Sequence, residues 1–124
     1  MPDHAKQVGI LCQRVIDLLG LSSMTEGQSI LLGESNIAHM VSRHPADFAL
    51  YGEYIPLILS APDYVALNAK DGSIEYVKEV QVNSVFVKVA VRVSARGQLF
   101  ARSVYRLNTN RVLNFIEKGT LKRY

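Results

Sequence analysis

The segment VNSVFVKVAVRV, residues 82–93, constrains the fold of this chain more than any other. Its odd positions from Val85 to Val93 are all valine, whereas Lys88 and Arg92 occupy even positions. Successive side chains of a β-strand point to opposite faces, so the valines form one apolar face and the two cations lie on the other. The pattern therefore predicts a long strand whose valine face is buried in the core.

The segment QLFARSVYRL, residues 98–107, also alternates, and it follows the turn signal SARG. It therefore predicts the antiparallel return strand of a hairpin. The length of the turn determines which of its side chains share a face with the two cations. A turn of even length puts Ser103 and Tyr105 on that face. A three-residue turn exchanges the two sets and puts Arg102 and Arg106 there instead.

The residues of the hairpin leave both registers open. Composition mildly favours the three-residue turn, 95–97, because Leu99, Ala101 and Leu107 would then join the valine face. In the other register the two arginines of the return strand lie at the margins of the valine side, where their long stems can reach solvent. The two polar sets are therefore expected to exclude each other from any single site.

The rest of the chain predicts helices first and strands afterwards. Apolar residues recur at helical spacing over 8–19, and Gly20 follows as a stop signal. This order predicts an α+β fold in which N-terminal helices precede a roughly four-stranded antiparallel sheet, all in one domain spanning 1–124. The other expected elements are a short strand at 29–33, helices at 36–43 and over much of 46–60, strands at 63–68 and 73–80, and a helix at 111–118.

Several classes of protein are excluded by what the sequence lacks. Cys12 is the single cysteine, so an internal disulfide and a cysteine-rich metal site are both impossible. There is no HExxH, CxxC, GxxxxGK[ST] or GxSxG motif. No apolar run reaches the roughly 18–20 residues that span a bilayer. We therefore expect no metal, no cofactor and no membrane partner, and a reducing compartment such as the cytoplasm fits the cysteine count.

The net charge of +3 conceals a strong asymmetry along the chain. Residues 1–87 contain five Lys/Arg and ten Asp/Glu, whereas residues 88–124 contain nine Lys/Arg and one acid. A block so rich in cations is typical of proteins that bind phosphate-rich partners such as nucleic acid. Neutralisation by the acidic part of the same chain is the alternative explanation.

Five side chains together supply what RNA cleavage without a metal requires. A base must take the proton of the 2′-hydroxyl and an acid must protonate the departing 5′ oxygen, and histidine suits both roles because its pKa is near neutrality. A cation and hydrogen-bond donors must stabilise the charge on phosphorus, and a flat ring can stack on a base. The candidates are His39, His44, Lys88, Ser103 and Tyr105.

A series of motifs in order makes the chain recognisable. It resembles the phage-associated branch of the barnase–EndoU–colicin–RelE-like (BECR) nuclease superfamily, over residues 29–122, with 1–28 as an N-terminal helical extension. The resemblance implies helices followed by an antiparallel sheet, and metal-independent ribonuclease activity in a toxin or phage-borne effector. The motifs are SNIAHMVSRHP (35–45), YIPLILSAPDYV (54–65), IEYVKEV (74–80), VKVAVRV (87–93), ARSVYRLN (101–108) and FIEKGTLK (115–122).

The resemblance also implies roles for individual residues. Related proteins have histidines before the sheet, then a lysine, then a Ser/Thr two residues before an aromatic on a late strand. It thus favours the register that puts Lys88, Ser103 and Tyr105 on one face, with Lys78 as a rival for the lysine. By the same resemblance the catalytic set is His39, His44, Lys88, Ser103 and Tyr105, and the substrate-binding set is Arg43, Arg92, Arg102 and Arg106.

The function expected from these observations is an endoribonuclease that cleaves RNA by attack of the 2′-hydroxyl. The resemblance implies RNA as the partner, with tRNA as one candidate, and a cognate immunity or antitoxin protein. It also implies a bacterial or phage-encoded protein of the cytoplasm that is sometimes delivered as an effector. The alternatives are a non-catalytic RNA- or protein-binding module of a phage or conjugative-element protein, and a purely structural domain.

Overall fold

The computed structural model describes residues 5–80 and 85–124. Residues 82–84 of the expected strand 82–93 lie outside the described residues. The helices are α1 (Gln13–Leu19), α2 (Glu34–Arg43), α3 (Pro45–Tyr51), α4 (Ile55–Ser60) and α5 (Thr109–Glu117), with a 3-10 turn at Gly52–Tyr54. The strands are β1 (Ala5–Ile10), β2 (Ser29–Gly33), β3 (Tyr64–Leu67), β4 (Ile74–Val80), β5 (Val85–Val93), β6 (Leu99–Leu107) and β7 (Lys122–Arg123).

The described strands form one sheet in the order β1-β2-β6-β5-β4-β3-β7. The fold is α+β, as the sequence predicted, but the sheet has seven strands among the described residues rather than four. It is also mixed, because β2 runs parallel to β6 whereas the other neighbours are antiparallel. The four strands of the predicted sheet, β3 to β6, are consecutive neighbours in it. Strand β2, which was predicted only as a separate short strand, joins them next to β6, with β1 beyond it. The short β7 joins them next to β3.

The helix predicted over 8–19 is wrong in its first part. Residues from Ala5 to Ile10 form β1, which pairs with β2, and the helix begins only at Gln13. The predicted stop is confirmed: Gly20 has φ 66° and its N–H donates to the Ile16 carbonyl, so it closes the C-terminus of α1. The helical spacing predicted too early a start because it included Val8, which is a residue of β1, together with residues that do belong to α1.

Close packing explains why β1 lies where it does. A β-carbon on Gly9 would come within 3.1 Å of the Leu59 β-carbon, so the absence of a side chain lets α4 approach the strand. Leu11, between β1 and α1, is fully buried and its N–H donates to the Gln28 carbonyl. These contacts are made with residues distant in sequence, which is why local periodicity misplaced the segment.

The two faces of the sheet are covered unequally. The valine face, with Val87, Val89 and Val91, is fully buried beneath helices that precede the sheet core in sequence, and it belongs to the main hydrophobic cluster. The opposite face is covered at one end by α5, whose Val112 packs in a smaller cluster with Phe86. Lys88 and Arg92 lie on this second face, half-buried, as the alternation predicted.

The β5–β6 hairpin combines a three-residue turn with a bulge. Ser94 N–H donates to the Gln98 carbonyl at 2.8 Å, and Gly97, with φ 82°, occupies the left-handed region at the end of the turn. Val91 pairs with Ala101, but the next residue back, Ala90, pairs with Ser103. Arg102 is therefore the extra residue of a β-bulge.

Helix α2 runs beside β6 because of the parallel pairing of β2. Strand β2 pairs with β6 only through Ile30–Leu99 and Leu31–Phe100, and the chain then continues into α2 in the same direction as the rest of β6. Helix α2 consequently contacts the second half of β6. None of the described helices is long and apolar enough to span a membrane.

Candidate functional site

The open face of the sheet carries a cavity of about 290 Å³, which we call the His39 cavity. Helix α2 contributes one residue, the β3–β4 turn several, and β4, β5 and β6 the rest. More than half of the chain separates its first and last residues, so the site depends on the whole fold. Its lining residues are His39, Asn68, Asp71, Ser73, Glu75, Lys88, Ala90, Arg92, Arg102, Ser103 and Tyr105.

The bulge of β6 brings one residue of the arginine set, Arg102, to the same cavity as Ser103 and Tyr105, whereas Arg106 does not line it. Regular alternation would send Arg102 and Ser103 to opposite faces, but both line the His39 cavity. Tyr105 pairs with Lys88 and lies on the same face. The expectation that the serine and arginine sets exclude each other is therefore wrong. The turn has three residues, and the bulge then reverses the assignment of faces beyond it.

His39 lies within the positive potential of several cations. Its pKa is lowered from the ordinary 6.5, first by burial and then by the charges of Arg102 and Arg43, with smaller contributions from His44 and Arg92. A histidine with a lowered pKa is neutral at pH 7, and a neutral imidazole can accept a proton.

His44 and Tyr105 form a stacked pair. Their ring centroids are 4.6 Å apart and the planes are inclined by 25°. His44 ends α2, where its N–H donates to the Met40 carbonyl. His44 does not line the His39 cavity itself, and it adjoins the site through its contact with Tyr105, which does line it.

Lys88 is held by contacts on two sides. Its ammonium nitrogen is 3.0 Å from a carboxylate oxygen of Glu75 and 4.9 Å from the centre of the Tyr105 ring. Burial opposes the charged form of Lys88, but the interactions with Tyr105 and Glu75 outweigh it and raise the pKa above 10.5. The ammonium group is therefore charged at neutral pH and fixed in position over the cavity. The rival lysine, Lys78, donates instead to the Ala61 carbonyl and does not line this cavity.

The sequence did not predict that Asn68, Asp71 and Glu75 line the cavity. Glu75 pairs with Ala90 across β4 and β5, two residue pairs from Lys88 and on the same face, and Asn68 Nδ2 donates to its carboxylate at 3.3 Å. Asp71 lies 3.7 Å from Arg92, and its pKa is lowered by hydrogen bonds from Ser73. The alternation of IEYVKEV was the available signal, because it places Glu75 on the face opposite to the buried Tyr76.

The remaining predicted arginines are peripheral to the cavity. Arg43 is exposed in the last turn of α2 and acts on His39 through its charge. Arg106 pairs with Val87, its N–H donates to Asp47, and its side chain borders a neighbouring cavity described below. Within residues 5–80 and 85–124, no group of three or more His, Cys, Asp or Glu side chains is arranged to hold a metal ion.

Comparison with known families agrees with this architecture. A family model described as "phage-Barnase-EndoU-ColicinE5/D-RelE like nuclease3" matches residues 6–114, which is most of the chain. The protein therefore belongs to this phage-associated family of the BECR nuclease superfamily, as the order of the motifs implied. Membership identifies a nuclease family, whose substrate is nucleic acid. No curated protein and no solved structure matches the chain significantly.

Proposed function

We propose that the protein is a metal-independent endoribonuclease that cleaves RNA by attack of the 2′-hydroxyl on the adjacent phosphorus. One observation carries the proposal: a histidine with a lowered pKa, a fixed ammonium group and a serine hydroxyl line one cavity on the open face of the sheet. Nuclease family membership supports a reaction at a phosphodiester.

In the proposed reaction His39 is the general base. Its neutral imidazole takes the proton of the 2′-hydroxyl, the oxygen attacks phosphorus, and the bond to the 5′ oxygen breaks. His44, as imidazolium, gives its proton to the departing oxygen. The products are a 2′,3′-cyclic phosphate and a 5′-hydroxyl, so atoms and charge balance without a metal or an external reactant.

The cations and the hydroxyl of the cavity would stabilise the transition state. Lys88 and Ser103 hold the non-bridging oxygens of the scissile phosphate, and Arg102 and Arg92 neutralise the charge that builds on them. Donors fixed before the reaction are the most effective, and the Glu75 ion pair supports this role because it restrains the ammonium group. Tyr105 acts by orienting Lys88 and His44, since its ring already contacts both.

The proposed substrate is RNA, including tRNA, and the proposed biological role is that of a toxin or a phage or mobile-element effector. The cationic block from residue 88 onwards supports a polyanionic substrate: Lys88, Arg92 and Arg102 line the cavity itself. Arg43 and Arg106, at its periphery, would contact the RNA backbone. A cognate immunity or antitoxin protein would then protect the producing cell by covering this face.

The proposal is tested by RNA cleavage in the presence of EDTA. We expect the wild-type protein to cleave RNA to ends carrying 2′,3′-cyclic phosphate, and a 2′-deoxy nucleotide at the scissile position to block cleavage. His39→Ala and Ser103→Ala should each reduce the rate by about 100-fold or more. Ser60→Ala is a matched control, because Ser60 is an exposed serine on α4 that bonds only the Leu57 carbonyl.

A non-catalytic RNA-binding module is the second candidate. The observation in its favour is that the Lys88 ammonium is already paired with Glu75, which reduces its capacity to bind an incoming phosphate. The same experiment separates the two functions. RNA binding that persists in His39→Ala and Ser103→Ala, without cleavage at any protein concentration, would refute the enzyme and support the module.

A further inference from the structure

A second cavity adjoins the His39 cavity on the open face of the sheet. It has a volume of about 540 Å³, and we call it the Phe115 cavity. The two cavities share Asn68, Glu75, Lys88 and Tyr105, so they are adjacent, with these side chains between them. The second cavity is therefore next to the position proposed for the scissile phosphate.

The lining of the Phe115 cavity suits a flat heterocycle attached to a phosphate. Its inner surface is apolar, with Val112 and Leu121 buried and Phe115 half-buried. Two cations, Lys70 in the β3–β4 turn and Arg111 on α5, also line it. An apolar cavity next to a phosphate-binding group and surrounded by cations matches a nucleotide, with its base inside and its backbone outside.

The aromatic wall is held rigidly by the end of α5. The N–H groups of Thr120 and Leu121 both donate to the Phe115 carbonyl, at 2.9 and 3.2 Å, around Gly119 with φ 78°. The Arg111 guanidinium lies 5.7 Å from the centre of the Phe115 ring. A base that enters the cavity consequently meets a preformed ring and cation, and little ordering is required on binding.

We propose that the Phe115 cavity binds the base of the nucleotide that carries the scissile phosphate and so contributes to RNA specificity. This inference rests on the proposed function, because it places the phosphate in the His39 cavity. Phe115, Thr120 and Leu121 follow residue 114, where the match to the family model ends.

The test is a binding measurement that does not depend on cleavage. Isothermal titration would compare the four nucleoside 3′-monophosphates with ribose 5-phosphate and inorganic phosphate, which have no base. We expect at least one nucleotide to bind about tenfold more tightly than ribose 5-phosphate, because stacking on an aromatic ring contributes an affinity of this order.

Phe115→Leu keeps an apolar side chain for packing but removes the aromatic face. It should reduce the tenfold advantage of the nucleotide to less than about threefold and leave ribose 5-phosphate binding unchanged. Leu113→Ala, an exposed position on the same helix outside this cavity, is the control and should preserve the advantage. Equal binding of all ligands with and without a base, or an advantage that survives Phe115→Leu, would overturn the proposal.

The two proposals fail in different ways. EDTA-resistant cleavage without any base-dependent binding refutes the base site and leaves the endoribonuclease intact. Base-dependent binding that Phe115→Leu abolishes, in a protein that does not cleave RNA, supports the base site and refutes catalysis.

Discussion

Arg102 and Ser103 are consecutive residues of β6, yet both side chains line the His39 cavity, because Arg102 is the extra residue of a bulge. On the turn side of the bulge, Leu99 and Ala101 face the core. On its far side, Val104 faces the core. One inserted residue thus allows both halves of the strand to bury their apolar side chains and still present Ser103 to the cavity.

Deletion of Arg102 should be tolerated by the fold. Ala101 and Ser103 already pair with the consecutive residues Val91 and Ala90, so the deletion leaves a regular ladder with the same core. We expect the free energy of unfolding to change by less than about 1 kcal/mol, measured by chemical denaturation.

Deletion of Phe100, two residues away, is the matched comparison. This deletion either moves Leu99 off the core face or brings Arg102 onto it. We therefore expect the free energy of unfolding to fall by an amount on the order of 3 kcal/mol. Equal destabilisation by the two deletions would contradict the role assigned to the bulge.

His39 should titrate below its ordinary pKa of 6.5. NMR titration of the imidazole measures this directly, without reference to activity. Burial is the largest cause of the lowering and Arg102 the next, so Arg102→Ala should raise the pKa of His39 towards 6.5, whereas Arg96→Ala in the hairpin turn should not. If His39 is the base, cleavage increases as the pH rises through this pKa, and it decreases again at higher pH once the general acid has lost its proton. A measured pKa of His39 above 6.5 would contradict the inferred effect of burial and of the neighbouring arginines on this imidazole.

The Lys88–Glu75 pair should stabilise the folded protein. The side chains are only 14% and 15% exposed, so a double-mutant cycle with Lys88→Met and Glu75→Gln should give a coupling of about 1–3 kcal/mol. Arg92 and Asp71 are 3.7 Å apart and their side chains are 40% and 38% exposed. The double-mutant cycle for this pair should give a coupling energy of less than about 0.5 kcal/mol.

The pH dependence of the Lys88–Glu75 coupling follows from the direction of the pKa shift. The folded-state pKa of Lys88 is raised above 10.5, so its stabilising contribution is complete below 10.5 and declines as the pH rises through the higher, folded value. Denaturation curves between neutral and strongly alkaline pH measure this. A coupling that already declines near pH 8 would show that Lys88 is not held as inferred.

The ring of Tyr105 should contribute more than its hydroxyl. Tyr105→Phe preserves the stack on His44 and the ring beneath Lys88, and it removes only the hydroxyl, whose hydrogen bond helps to raise the pKa of Lys88. Stability should therefore change by less than about 0.5 kcal/mol and most of the cleavage rate should remain. Tyr105→Leu removes both ring contacts. It should lower the free energy of unfolding by about 1 kcal/mol and abolish most of the cleavage activity. If Phe is as damaging as Leu, the hydroxyl itself is required.

Strand β5 could be predicted because its valine face is buried along most of its length, and alternation reports that burial directly. The existence and parallel direction of the β2–β6 pair could not, since they depend on two residue pairs formed between distant segments. Strand β7 has two residues, too few to carry any pattern. Local composition is informative only where a segment is long enough to show a period.

The bulge was visible in the sequence in retrospect. Two polar residues, Arg102 and Ser103, stand between the buried Ala101 and Val104, which breaks strict alternation by one position. A strand without a bulge would have one register along its whole length. In β6 the register of the three-residue turn holds up to Ala101, and the other register holds from Ser103 onwards. Asn68 was missed for another reason, because its position in the cavity depends on how the β3–β4 turn lies against β5.

The central position of β6 has a consequence for synthesis of the protein. Residues 99–107 are synthesised after β2 and β5, yet they join β2 on one side to β5 on the other. Until they emerge, the two portions of the sheet cannot associate through their backbones, and the histidines of α2 have no strand beside them. A truncation before β6 would therefore leave two unpaired sheet edges exposed to aggregation.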